Sequence, residues 1–241
     1  MRLLVANPNS TESITEACAV LARAAAAPGT EIVPWTNRDG PPVIDSLYGD
    51  SMASRPLAKS LGALATRVDA VVLAGFGSYG SGAVKEALDI PVVGLAEAAM
   101  AFATPLCHRF AIVTTSPRMI PYTQDLVESL GFAARCAAVR AVDLPPVGKD
   151  EGPAELVVES LAKEVDAARA SAGVDLVILG GSRLSSHAGA LRRRTPLVVL
   201  EPVACAVALA EGLARLHLSQ SKAGKFARPP RPLGEYDSGG G

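Results

Sequence analysis

Two short stretches carry most of the groups able to do chemistry. The first is Gly75-Phe76-Gly77-Ser78-Tyr79-Gly80, which sets a hydroxyl and a phenol among three glycines. The second is Gly180-Gly181-Ser182-Arg183, with His187 close behind it. Glycine lets the backbone approach a ligand closely, and backbone N–H groups with the hydroxyls of Ser78 and Ser182 would suit a carboxylate or an enolate-like oxygen. His187 is of the residue type that titrates near neutral pH, which fits a general acid or base; a histidine in a helix's first turn also serves as a capping or solvated residue. Tyr79 could move a proton, stack on a ligand or hydrogen-bond to it. Ser182 would be a nucleophile only beside a base, which the sequence does not show, so the role of oxyanion donor is preferred. Arg183 could pair with a substrate carboxylate or lie on the surface.

The elements that must hold these groups are legible in the hydrophobic pattern. Val68 to Ala74 and Val174 to Leu179 are apolar runs that break into glycine and then into helical sequence, as buried parallel strands feeding ligand loops do. Each is followed by a second apolar strand opened by a proline, Pro91 or Pro196. Arg2 to Ala6 with Asn7-Pro8-Asn9-Ser10 is mirrored by Arg109 to Val113 with Thr114-Thr115-Ser116-Pro117, so one unit is used twice at a spacing of about 106 residues. Between these landmarks we expect strands at 31–35 and 135–142 and helices at 55–66, 97–104, 121–130, 155–172 and 204–216. Asn9 is expected to cap the first helix, with Glu12 three places on. Two long loops, 37–50 with Pro41-Pro42 and 143–152 with Pro145-Pro146, have the length of loops that cover sites.

The chain therefore parses as α/β: two pseudo-symmetric βα half-domains, each a mostly parallel sheet flanked by helices, with the site in the cleft between them. The halves are 1–108 and 109–215, and the 216–241 tail could pack back on the first. Loops after parallel strands gather at one edge of a sheet, so Asn7, Thr114 and Thr115 join the two glycine loops as candidate binding residues, backed by helix N-termini. Tyr122 could reach the same cleft or serve packing.

Composition narrows the classes. With 241 residues, 49% hydrophobic and 20% charged, the chain can bury a large core; its net charge of −1 gives no general attraction to nucleic acid or anionic membranes. No apolar leader is visible, and a cytoplasmic location is expected. Four cysteines show neither Cys-x-x-Cys spacing nor the density of a disulfide scaffold, and no His/Asp/Glu set has metal-ligand spacing. Gly75 to Gly80 matches Gly-x-Gly-x-x-Gly, but no acidic ribose ligand follows at the usual distance, so no dinucleotide and no other cofactor is expected. Arg192-Arg193-Arg194 closes a helix, where cations suit the dipole.

Asn7-Pro8-Asn9, Val113-Thr114-Thr115, Val92 to Met100, Arg135-Cys136-Ala137 and Ser221 to Ala227, taken in order, resemble the hydantoin racemase branch of the Asp/Glu racemase superfamily. The resemblance implies cofactor-independent proton transfer at carbon next to a carbonyl by two cysteines, one from each half, and a homo-oligomer. It also implies that those cysteines stand where this chain has Gly75 and Gly181. The superfamily's arylmalonate decarboxylases are similar in having glycine at the first position but keep the second cysteine. The expectation is accordingly an enzyme acting on a small carbonyl or carboxylate compound by a lyase, decarboxylation, tautomerisation or cyclisation reaction. The alternatives are a racemase or epimerase using other residues, such as Tyr79 and His187, and a small-ligand binder without catalysis. Phe76 and the paired glycines would then line a roomier pocket.

Overall fold

The fold is taken from a computed structural model, which describes residues 1–64, 67–145 and 152–236. Two four-stranded parallel sheets repeat one topology. The first holds β1 (Arg2–Asn7), β2 (Glu31–Thr36), β3 (Ala70–Leu73) and β4 (Val92–Gly94) in the order β2-β1-β3-β4. The second holds β5 (Phe110–Thr114), β6 (Cys136–Ala141), β7 (Leu176–Gly180) and β8 (Val198–Leu200) in the order β6-β5-β7-β8. Central strands β1, β3, β5 and β7 are buried almost end to end, as their unbroken Leu/Val/Ile runs require of strands covered on both faces. Edge strand β6 is only half-buried, and its small-residue sequence Cys-Ala-Ala-Val-Arg-Ala reflects that.

Helices connect the strands: α1 (Glu12–Ala25), α2 (Leu47–Leu64), α3 (Ser81–Ala87), α4 (Leu95–Ala103), α5 (Met119–Ser129), α6 (Ala154–Ala172), α7 (Ser182–Ser185), α8 (Ala188–Arg192) and α9 (Pro202–Arg215). The largest core is shared between the halves. It packs Leu3, Val5 and Val93 of the first sheet and Phe110, Ile112 and Ile178 of the second around α4 and α9. Alanines at 96, 98, 99, 103, 206 and 210 let these two helices approach closely. Separate outer cores lie under α2 and α3 on one side and under α6 and α8 on the other.

Two boundary expectations need correction. α2 begins at Leu47, not near Arg55, and carries Pro56 inside it. Proline there removes the bond to the Met52 carbonyl, a cost that solvent offsets because Met52 is exposed. Residues 65 and 66, where that helix was expected to end, and 146–151 of the second long loop lie outside the described residues. The first residue before α1 is Thr11, not Asn9; the Asn9 carboxamide accepts from the Thr11 N–H at 3.0 Å and so shapes the turn one step earlier.

The tail returns to the first half. Gln220 donates to the Val92 carbonyl, and Lys222 Nζ to the carbonyls of Lys85 (2.6 Å) and Glu86 (3.0 Å). Phe226 lies under the Lys85 ammonium, 5.4 Å from ring centre to nitrogen, while that ammonium is held by Glu97 at 2.7 Å. Among the described residues, no helix is long and apolar enough to cross a membrane, and no group of three His, Cys, Asp or Glu could hold a metal ion.

Candidate functional site

A cleft of about 440 Å³ opens between the halves at the carboxyl ends of the four central strands. Open parallel sheets place ligands at that edge because the strand-to-helix loops converge there. Pro8 and Asn9 follow β1, Ala74 to Phe76 follow β3, Thr114 to Ser116 follow β5, and Gly180 to Arg183 accompany the end of β7. The repeat thus delivers the loops after its two central strands from each half to one space.

Of the residues singled out from sequence, Gly75, Phe76, Tyr79, Thr114, Thr115, Gly181, Ser182 and Arg183 line this cleft. Thr114 is buried and spends its hydroxyl on the Gly180 carbonyl at 3.2 Å, which fixes β5 against β7 and leaves Thr115, Ser116 and Ser182 as the other Ser/Thr residues on the lining. Arg183 reaches the Pro145 carbonyl at 2.8 Å across the cleft's second long loop.

Four of the singled-out residues do other work. Asn7 is fully buried, and its side chain bonds Asn9, the Thr11 carbonyl and Thr15, stitching the β1–α1 turn. His187 precedes α8 and does not line the cleft: the chain makes a single turn, α7, and then starts a new helix. Ser78 and Tyr122 sit just behind the Tyr79 wall, bonded to Asp50. The helix N-termini expected behind the glycine loops are also short, seven residues in α3 and four in α7. The longer α5 instead opens at the cleft, with Ser116, Arg118 and Met119 on its lining.

Tyr79 has taken over the first wall. It is buried, and its backbone is held at φ +40°, a left-handed conformation uncommon for an aromatic residue. A Cβ on Gly75 would lie 2.3 Å from Tyr79 Cε2 and 2.9 Å from Pro8 Cγ, so the ring occupies the volume a side chain at 75 would need. Position 181 is different: its φ of 165° is extended, and a Cβ there would meet only Thr115 Cγ2, at 3.1 Å. The two walls are therefore chemically unlike, one aromatic and one bare.

Burial pushes the Tyr79 phenol well above its ordinary range, with Tyr122 and Asp50 adding to the effect. Burial, followed by the Asp50 hydrogen bond, pushes Tyr122 up to about 12. Both are held as neutral phenols at neutral pH, able to donate a proton but not to remove one. None of the four cysteines lines the cleft. Burial raises the Cys18 thiol to about 11, partly offset by the Ser182 side chain, and raises Cys205 to about 12.

Sequence reasoning missed two carboxylates. Asp45, in the loop after β2, and Asp143, in the loop after β6, both line the cleft, one from each half at matching places in the repeat. The signal was the pair of proline-rich loops that carry them. With Arg118 and Arg183 they give the cleft two anions and two cations, and Val43, Ile44, Leu144 and Met119 supply apolar wall.

The chain is similar to known proteins over nearly its whole length. The Asp/Glu/hydantoin racemase family model matches residues 3–210. Hydantoin racemase from Rhizobium meliloti is 33% identical over 230 residues, 95% of either chain. Two solved structures superpose closely. Allantoin racemase from Pseudomonas fluorescens has a TM-score of 0.91 at 35% identity, covering 96% of this chain and 98% of that one. Allantoin racemase from Klebsiella pneumoniae has a TM-score of 0.89 at 36% identity, covering 96% and 95%.

Proposed function

The chain belongs to the Asp/Glu/hydantoin racemase family, and from that premise we propose that it moves a proton at a carbon next to a carbonyl in a small cyclic ureide or related carboxylate, without a cofactor. Racemisation or epimerisation is the leading reaction, because relatives described as hydantoin and allantoin racemases match it along nearly the whole chain. The observation that carries the reading is the cleft itself, formed by equivalent loops of two repeated halves. A substrate held there has one face toward each half.

The proton carriers are not thiols. We assign the acid to Tyr79, the phenol on the cleft lining. The base is a carboxylate, Asp143 from the opposite half or Asp45 from the same one. Thr115 and Ser182 hydroxyls hold the oxygen on which negative charge develops, and Arg118 and Arg183 give the cleft positive potential for it. His187, outside the cleft lining, takes no part in this scheme.

A second reading is favoured by one observation, the phenol that can give but not take a proton. In a decarboxylation or related lyase reaction the carbanion forms by loss of a group, and Tyr79 alone would complete the step. Proton NMR in deuterium oxide separates the two. Exchange of the ring-carbon proton of a 5-substituted hydantoin or of allantoin is expected for the first. Absence of exchange with both, alongside turnover of an arylmalonate-type diacid, supports the second.

A further inference from the structure

A buried carboxylate behind the cleft joins the two halves. Tyr122 of α5, in the C-terminal half, donates its hydroxyl to Asp50 Oδ2 of α2, in the N-terminal half, at 2.6 Å. The Ser78 hydroxyl donates to the same oxygen at 2.7 Å, and Ser54 Oγ lies 3.2 Å from the other carboxylate oxygen. The Ser78 backbone N–H donates in turn to the Tyr122 hydroxyl at 3.0 Å. Tyr122 thus gives its only proton to one half's helix and receives one from the same half's loop.

The loop it grips is the one that carries Tyr79. A Cβ on Gly77 would lie 2.4 Å from the Tyr122 hydroxyl oxygen and 2.5 Å from Tyr79 Cζ, so both rings converge on a backbone that only glycine allows. The left-handed Tyr79 backbone is a strained state, which persists where the surroundings over-determine it. The bonds at Ser78, one residue before, and the packing at Gly75 and Gly77 are those surroundings.

We propose that Tyr122 and Asp50 are positioning residues of the site. By tying α5 of one half to the 75–80 loop of the other, they hold the Tyr79 ring beside Gly75, so that the aromatic wall forms only at this spacing of the halves. The inference rests on the reading of Tyr79 as the working acid, but it has a consequence independent of any reaction. The spacing of the halves and the volume open at residue 75 are one variable.

Thermal unfolding of Gly75→Ala, Tyr122→Phe and the double variant measures that coupling. Overpacking against a fixed ring lowers the melting temperature of Gly75→Ala by roughly 3–10 °C in the parent. The same substitution is expected to cost less than half as much in the Tyr122→Phe background, where the loop and ring are free to shift. Equal losses in both backgrounds would overturn the proposal. Asp50→Asn, which keeps the shape but weakens the acceptor, is expected to give an intermediate result and serves as the second variant.

Exchange kinetics with a 5-substituted hydantoin form the other arm. Tyr122→Phe is expected to lower kcat at least about tenfold while KM moves about threefold or less, the mark of a misplaced acid rather than a lost binding contact. A variant that melts lower but keeps both constants at 25 °C refutes positioning. If the parent itself shows no exchange, the functional reading fails, and the stability cycle still decides the coupling.

Discussion

Placing a cysteine at Gly75 is the sharpest perturbation available, because the geometry states in advance what it will meet. The backbone at 75 is not left-handed, so the obstacle is space alone. A new Cβ would stand 2.3 Å from Tyr79 Cε2, where ordinary contact begins at 3.4 Å, so the ring must retreat by about 1 Å. Its retreat is opposed on the far side, where it already lies against Gly77 and close to Tyr122. Forcing an extra group into such a place costs about 1–3 kcal/mol, which for a chain of this size is a fall of roughly 3–10 °C in melting temperature. Gly181→Cys is the internal control, since it needs only a few tenths of an ångström from the Thr115 methyl; its cost is expected below about 1 kcal/mol. Tyr79→Gly removes both ring and backbone strain, and in that background Gly75→Cys should cost less than about half as much, the remainder being Pro8 Cγ at 2.9 Å. Differential scanning calorimetry of the five chains settles the matter. If Gly75→Cys melts within about 1 °C of the parent, or loses as much with Tyr79 replaced by glycine, the ring is not what closes position 75.

Four further outcomes are expected. Tyr79→Phe keeps the fold but removes the acid, so deuterium incorporation into the exchanging substrate should fall about 10²–10⁴-fold, as measured by NMR. Of Asp45→Asn and Asp143→Asn, the one that supplies the base should lose about 100-fold or more in the same assay and the other only a few-fold. Because Tyr122 is raised from 10.0 to about 12 in the folded chain, the unfolded chain loses that proton first as pH rises. The stability it contributes is complete below pH 10 and lost between pH 10 and about 12; Tyr122→Phe should show a shallower fall of melting temperature over that window. Phe226→Ala removes the ring beneath Lys85 and should free the tail, giving faster trypsin cleavage after Lys222 and Lys225 with little change in melting temperature.

The fold was legible because its strands are unbroken apolar runs buried on both faces, and because the repeat shows in the matching positions of Gly75 and Gly181 and of Pro91 and Pro196. The loop residues of the cleft followed from topology, since parallel strands send their loops to one edge. What was not legible depends on distance rather than pattern. Asp45, Asp50 and Asp143 sit in or beside loops without periodicity. The start of α2 was hidden by a mid-helix proline that solvent makes tolerable. The three glycines from 75 to 80 looked like a ligand cradle, whereas Gly75 and Gly77 clear room for Tyr79 and Tyr122, a relation visible only once the ring is placed. His187, expected in a helix's first turn, stands directly before α8, and the single turn of α7 ahead of it carries it off the cleft lining.

The placement of α9 bears on how the chain can be made and folded. This helix comes late in the sequence, yet it packs on β1, β3 and α1 of the first half, and its buried Glu211 accepts from the Ala27 N–H and the Thr30 hydroxyl. A nascent chain that has emerged only to residue 108 therefore presents the inner face of its first sheet to water, with the Ala27 N–H and the Thr30 hydroxyl left to solvent. Closure must wait for residues 202–215, and the tail's bonds to Val92, Lys85 and Glu86 come later still. Severing the chain at its midpoint should yield two aggregation-prone fragments rather than two small proteins, and folding should proceed as a single event whose slow step brings the ends of the sequence together.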